Sequence, residues 1–133
     1  MTTRFEPTAS DEAATFWEAT REQQFVLPWC TECELAIWYP RLVCPRCFDT
    51  AIEWRETSGA ATVYACSIHW KPGTGRAEED GPYVVALVDL EEGVRMMTNV
   101  IECAPVDVVV GMPVRLAWEP LSDGRHLPVF RPA

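Results

Sequence analysis

Positive charge is scarce in this sequence. Eleven Lys and Arg stand against 20 Asp and Glu, a formal net charge of −9 over 133 residues. Non-specific nucleic-acid binding draws its affinity from cations that neutralise phosphates. No basic cluster supplies them here, so the balance argues against that class. Histidine is scarcer, with two, His69 and His126. No run of 18 apolar residues occurs, so no segment is expected to span a membrane as a helix. The N-terminus carries one Arg and no apolar segment, so it does not read as a signal peptide. That predicts a cytoplasmic chain whose cysteines stay reduced. No internal repeat and no low-complexity tract is seen.

Cysteine is present in number and in pattern. Four of the six follow Cys30-x2-Cys33-x10-Cys44-x2-Cys47. Each C-x2-C pair can aim two sulfurs at one point, because a tight turn brings them together. Two such turns facing each other make a tetrahedral S4 site, which suits Zn2+. A rubredoxin-like iron site is the chemical competitor. Four cysteine ligands close the coordination sphere, whereas a catalytic zinc keeps a position open for water. The expected ion is therefore structural. It stands in for a core that so short a segment cannot build.

Around that segment the chain divides into three expected parts: a helical segment at 1–26, a zinc ribbon at 27–50 and a strand-rich domain at 51–133. Ser10 is a plausible N-cap for a helix over residues 10–24, with Asp11 and Glu12 suited to the helix dipole. Its apolar face is short and carries Phe16 and Trp17. Strands are expected at 61–70, with Tyr64, Cys66, Ile68 and Trp70 on one face, and at 83–90. Glu91, Glu92 and Gly93 then make a hairpin turn into 94–101. In that strand Val94, Met96, Thr98 and Val100 alternate with Arg95, Met97 and Asn99. Val114, Leu116 and Trp118 point inward from a fourth strand, and residues 128–130 form a fifth. Five short strands with Gly and Pro turns predict a small antiparallel barrel. The loops at 71–82 and 122–127 are expected to link the strands, the first of them mobile.

The ordered set of these features resembles the DUF35 family. It comprises Phe16-Trp17, the cysteine ribbon with Trp38-Tyr39-Pro40-Arg41 between its pairs, residues 58–64 (SGAATVY) and residues 127–130 (LPVF). The resemblance covers about residues 11–131. It implies a mainly β fold: an N-terminal helix, a rubredoxin-like zinc ribbon and a five-stranded OB-fold barrel. Two departures are visible. Glu34 and Phe48 follow the second Cys of each pair, where the family usually has Gly. Ala60 stands where a longer residue is common. The resemblance implies a non-catalytic accessory subunit of a thiolase-fold or lipid-transfer-protein-like enzyme acting on acyl-CoA, of thiolase or sterol side-chain aldolase type. In archaeal relatives such a protein bridges two enzymes and contributes to a channel for the CoA arm. Phe16, Trp17, Trp38, Tyr39 and Arg41 become the candidate partner interface.

The residues themselves also bear on two other readings. OB-folds and zinc ribbons both bind nucleic acid in general. Aromatics suited to stacking are present (Tyr64, Trp70, Tyr83, Trp118), but only Lys71, Arg95 and Arg115 lie near them. An enzyme in its own right would need a nucleophile and base. The available groups are His69, His126 and the spare thiols Cys66 and Cys103, but His69, three residues from Cys66 in a strand, is expected on the opposite face. On an apolar strand face Cys66 is expected to be buried and inert.

Overall fold

The computed structural model describes residues 4–71 and 80–133. A 3₁₀ turn at Asp11–Ala13 leads into α1, Ala14–Thr20. A small sheet follows, built from β1 (Val26–Cys30), β2 (Leu35–Ala36) and β3 (Ile52–Glu56) in the order β2-β1-β3. Five strands then close a barrel. They are β4 (Ala60–His69), β5 (Tyr83–Leu90), β6 (Arg95–Val100), β7 (Pro113–Pro120) and β8 (His126–Pro132). Around the barrel the order is β4-β5-β6-β8-β7. The fold is mainly β, with one N-terminal helix, a cysteine ribbon and a five-stranded OB-fold barrel, as the resemblance implies; the all-antiparallel barrel expected from the strands is corrected by the parallel pairing of β6 with β8. Most of the loop at 71–82 lies outside the described residues.

The helix is shorter than the 15 residues its sequence suggests. Its α-helical part has 7 residues. Ser10 precedes the first turn in extended backbone, and its side chain caps nothing. The C-terminal end is held by tertiary contacts instead. Thr20 is fully buried. Its hydroxyl donates to the Trp17 carbonyl and accepts the His126 backbone N–H. The His126 ring Nδ1 lies 2.9 Å from the Thr20 carbonyl. A two-turn helix is marginal in water, so this clasp on β8 is what stabilises it.

The barrel core follows the alternation of its strands. Val84, Ala86, Val88 and Leu90 of β5 are buried, as are Met96, Thr98 and Val100 of β6. Val114 is buried, while Leu116 and Trp118 pack against the core from partly covered positions. Phe130 and Val129 are fully buried. Each fully buried Val, Leu, Met or Phe among them contributes roughly 1.5–3 kcal/mol through removal from water. Parallel pairing of Val100 with Phe130 closes the barrel.

β4 departs from simple alternation. Val63 pairs with Val88, but Ala65 pairs with Leu87, so Tyr64 is an extra, unpaired residue. This β-bulge shifts the strand's facing by one residue. Val63, at 1% exposure, is the core residue, and Tyr64 is exposed. The common face expected for Tyr64, Cys66, Ile68 and Trp70 is therefore corrected. Cys66 and Ile68 sit opposite Ala86 and Val84, while Trp70 lies beyond the strand and is exposed. Cys66 is exposed rather than buried. Its thiol faces the Val108 carbonyl at 3.6 Å.

Gly59 makes the turn that enters β4. Its φ is +81°, and an added Cβ would lie 3.2 Å from Leu116 Cβ. Its carbonyl accepts the Leu116 N–H at 2.8 Å, so the two chains approach closely where only a hydrogen fits between them.

Candidate functional site

The first candidate site is the cysteine cluster. β1 ends at Cys30, and β2 begins two residues after Cys33, so one pair sits in a hairpin turn. The second pair lies in residues 44–47, where Phe48 N–H donates to the Cys44 carbonyl and Cys44 N–H to the Asp49 carbonyl. All four Sγ atoms lie within 4.8 Å of one another. A tetrahedron with bonds of about 2.3 Å has edges of about 3.8 Å, so four sulfurs at this spacing fit one ion. Cys30 and Cys47 Sγ are 3.6 Å apart, far beyond a disulfide bond.

Backbone amides prepare these sulfurs for a cation. Cys33 N–H points at Cys30 Sγ (3.3 Å) and Arg46 N–H at Cys44 Sγ (3.4 Å). The Cys47 N–H, with that of Arg46, holds the Cys44 thiol down at about 7. Sharing a proton with Cys47, together with burial, pushes Cys33 up to about 12. A divalent cation bound by these sulfurs would displace their protons. Both residues that replace the usual glycine have left-handed backbone, Glu34 at φ +52° and Phe48 at φ +62°. Glu34 is tied down by Arg55, 3.2 Å away.

The second candidate site is a groove of about 600 Å³ where the helix, the ribbon and the barrel meet. Phe16, Trp17, Trp38 and Tyr39 all line it, facing Met97 and Asn99 of β6. Phe16 is 2% exposed and is the centre of an aromatic cluster. It makes edge-on contacts with Trp17 at 5.0 Å, Trp38 at 5.3 Å and Phe25 at 5.9 Å. Phe25 in turn meets Trp118 of the barrel at 6.4 Å. Trp17 is partly covered by the Arg125 guanidinium, 4.9 Å from its ring. Trp38 Nε1 is buried without a hydrogen-bond partner. Tyr39 is exposed. Arg41 is exposed too, but it does not line the groove.

The groups available for covalent chemistry are engaged elsewhere or exposed. His69 stacks on Tyr83 with ring centroids 5.0 Å apart. His126 is engaged with Thr20 and lies 3.4 Å from Gln23. Burial pushes the Cys103 thiol up, away from the thiolate a nucleophile needs. Sequence reasoning missed Arg125 and Asn99. Both are visible only once distant strands come together.

Comparison with known proteins decides the family. Residues 17–53 match the family model described as ChsH2, rubredoxin-like zinc ribbon domain. Residues 54–119 match ChsH2, C-terminal OB-fold domain. A DUF35 domain-containing scaffold protein of Methanocaldococcus jannaschii is 33% identical over 96 residues, covering 71% of this chain and 67% of that protein. The chain belongs to the DUF35 family. A solved structure described as an Ltp2-ChsH2(DUF35) aldolase aligns with this DUF35 chain at TM-score 0.84 and 34% identity. The match covers 96% of this chain and 98% of that one. The chain is 35% identical over 127 residues to a probable enoyl-CoA hydratase alpha subunit of Thermomonospora curvata. It is 31% identical over 124 residues to the 3-oxo-4,17-pregnadiene-20-carboxyl-CoA hydratase alpha subunit of Mycobacterium tuberculosis. It spans only 39% and 37% of those two proteins.

Proposed function

We propose that this chain is a non-catalytic subunit of a thiolase-fold enzyme that acts on acyl-CoA, of thiolase or sterol side-chain aldolase type. The observation that carries the reading is the end-to-end likeness, at 34% identity, to the DUF35 chain of an Ltp2-ChsH2 aldolase. The relatives named as hydratase alpha subunits point to CoA esters as the substrate class. In this reading the four cysteines hold one Zn2+ as a structural ion, because a closed S4 sphere offers no position to substrate or water. The ion fixes the ribbon, and the aromatic cluster fixes the ribbon against the barrel. The assembled face is then rigid enough to stabilise a partner and to border its CoA channel.

Among the expected interface residues, Phe16 serves the interior, being 2% exposed. Trp17, Trp38 and Tyr39 border the groove where a partner can reach them, and Tyr39 and Arg41 are the most open of the set. Co-purification of the tagged chain from its own cells, with identification of what comes along, tests the reading. A thiolase-fold enzyme in stoichiometric amount is expected, together with no acyl-CoA turnover by the isolated chain. A chain that purifies alone, or that cleaves or condenses acyl-CoA unaided, overturns it.

A further inference from the structure

Phe48 carries two unfavourable features at once. It is 76% exposed, and its φ of +62° is one that a bulky side chain resists and glycine adopts freely. A knuckle built only to hold an ion would do better with glycine there. Strain of this kind persists where something else depends on the side chain.

Its surroundings share the pattern. The bonds from Cys44 N–H to the Asp49 carbonyl and from Phe48 N–H to the Cys44 carbonyl bring the two ends of this loop, Cys44 and Asp49, together. Leu42 and Val43 lead into the loop, both exposed large apolar side chains. Arg41 and Arg46 flank them, both exposed. The charges there are unusual for this chain. Arg4, Arg21, Arg55, Arg95, Arg125 and Arg131 are all ion-paired. Arg41, Arg46 and Arg115 form no ion pair among the described residues. Asp49, the carboxylate nearest Arg46 in sequence, accepts the Ala51 N–H. In a chain of net charge −9, two arginines outside any ion pair among the described residues stand beside three exposed apolar side chains, with one carboxylate, Asp49, next to them.

We infer that this second knuckle, residues 41–48, is the surface that docks the partner enzyme, and that the partner presents an apolar hollow bordered by carboxylates. The inference rests on the accessory-subunit reading above and adds the place and the chemistry of contact. Phe48 is the apolar anchor. Arg41 and Arg46 are the charges that steer and orient the encounter. The left-handed backbone at 48 is kept because glycine would remove the anchor.

The test uses the thiolase-fold enzyme that co-purifies with the tagged wild-type chain, identified by mass spectrometry and then purified. It is titrated with wild type, Phe48→Gly, Arg41→Glu/Arg46→Glu, and Val106→Ser. Val106 is a control, an exposed apolar residue on the β6–β7 connection. Phe48→Gly should keep its zinc and its melting temperature, or gain in the latter, while losing affinity roughly thirtyfold, as removal of an interface anchor does. The double charge reversal should lose affinity and abolish the salt dependence of association. Val106→Ser should bind like wild type. If no thiolase-fold enzyme accompanies the wild type, the accessory-subunit reading fails and this inference falls with it. If the wild type binds and the knuckle variants bind equally well, the reading stands and the inference is wrong. Loss of zinc or of melting temperature in Phe48→Gly also overturns it, since Phe48 would then be structural.

Discussion

Two adjacent aromatics on α1 play different roles. Phe16 and Trp17 are about 100° apart on the helix, so one face cannot centre both. Phe16 is 2% exposed and meets Trp17, Trp38 and Phe25 edge-on. Phe16→Ala should cost about 3–5 kcal/mol of stability, read as a drop in denaturant midpoint with partner affinity falling only as the fold is lost. Trp17 is partly exposed beneath Arg125. Trp17→Ala should keep most of the stability and lose partner affinity. Equal loss of stability in both variants would show that the two positions are not divided this way. Gly59→Ala is a sharper case, because the added methyl meets Leu116 at positive φ. It should destabilise by about 1 kcal/mol or more. The metal-ligand pattern was legible at this scale, since residue types and spacing alone carry it. The exposure of Cys66 was not. It depends on one extra residue at Tyr64 whose only signature is its cross-strand register.

The elements differ in what holds them. The ribbon sheet has three short strands and little core of its own, with Cys30, Ile37 and Cys44 as its buried cluster. Removing zinc with a strong chelator, or making Cys44→Ser, should release about one zinc per chain and abolish amide protection in residues 30–50. Retained protection there without metal would contradict the structural role. The N-terminal arm is held by charge. Glu6 accepts from the Ser122 hydroxyl and N–H, and these bonds hold its carboxyl below the ordinary 4.5. The Arg125 N–H and guanidinium hold Asp123 below its ordinary 3.8. Both groups are depressed in the folded state. Their contribution is therefore present above about pH 4.5 and is lost as pH falls through the folded values. Backbone order parameters of residues 4–8 should drop on acidification below about pH 4 while the barrel stays folded. An arm that stays ordered down to about pH 2 would count against this clasp. Strands β6 and β7 were legible because their sequences alternate, β5 because it is a short apolar run, and the hairpin at 91–93 because Gly93 marks it. The full length of β8 was not. Residues 126–132 extend through two prolines, which break the usual strand signal. The helix was overestimated because Ser10 reads as a cap in sequence, yet its side chain makes no cap bond in space.

At the scale of the whole molecule, charge separates the two readings of an OB-fold with a ribbon. Arg95 is bound to Asp89 and stacked on Tyr64, so the barrel's aromatics are not backed by free cations there. No binding to single-stranded DNA is expected at micromolar protein in roughly 0.15 M salt. A salt-sensitive anisotropy change under those conditions would revive the nucleic-acid reading. The aromatic contacts from Phe16 through Phe25 to Trp118 join helix, ribbon and barrel into one face. This joining was partly legible, since Phe16, Trp17 and Trp38 stood out. Trp118 and Phe25 could be assigned to it only in three dimensions. What such a face is for is decided most directly by a single measurement. The tagged chain is purified from its native cells, the mass of the complex is determined, and acyl-CoA turnover is assayed for the complex and for the chain alone. The account predicts a stable complex with a thiolase-fold enzyme, activity in the complex and none in the isolated chain. A solitary chain, or activity that stays with it after separation, would contradict the account.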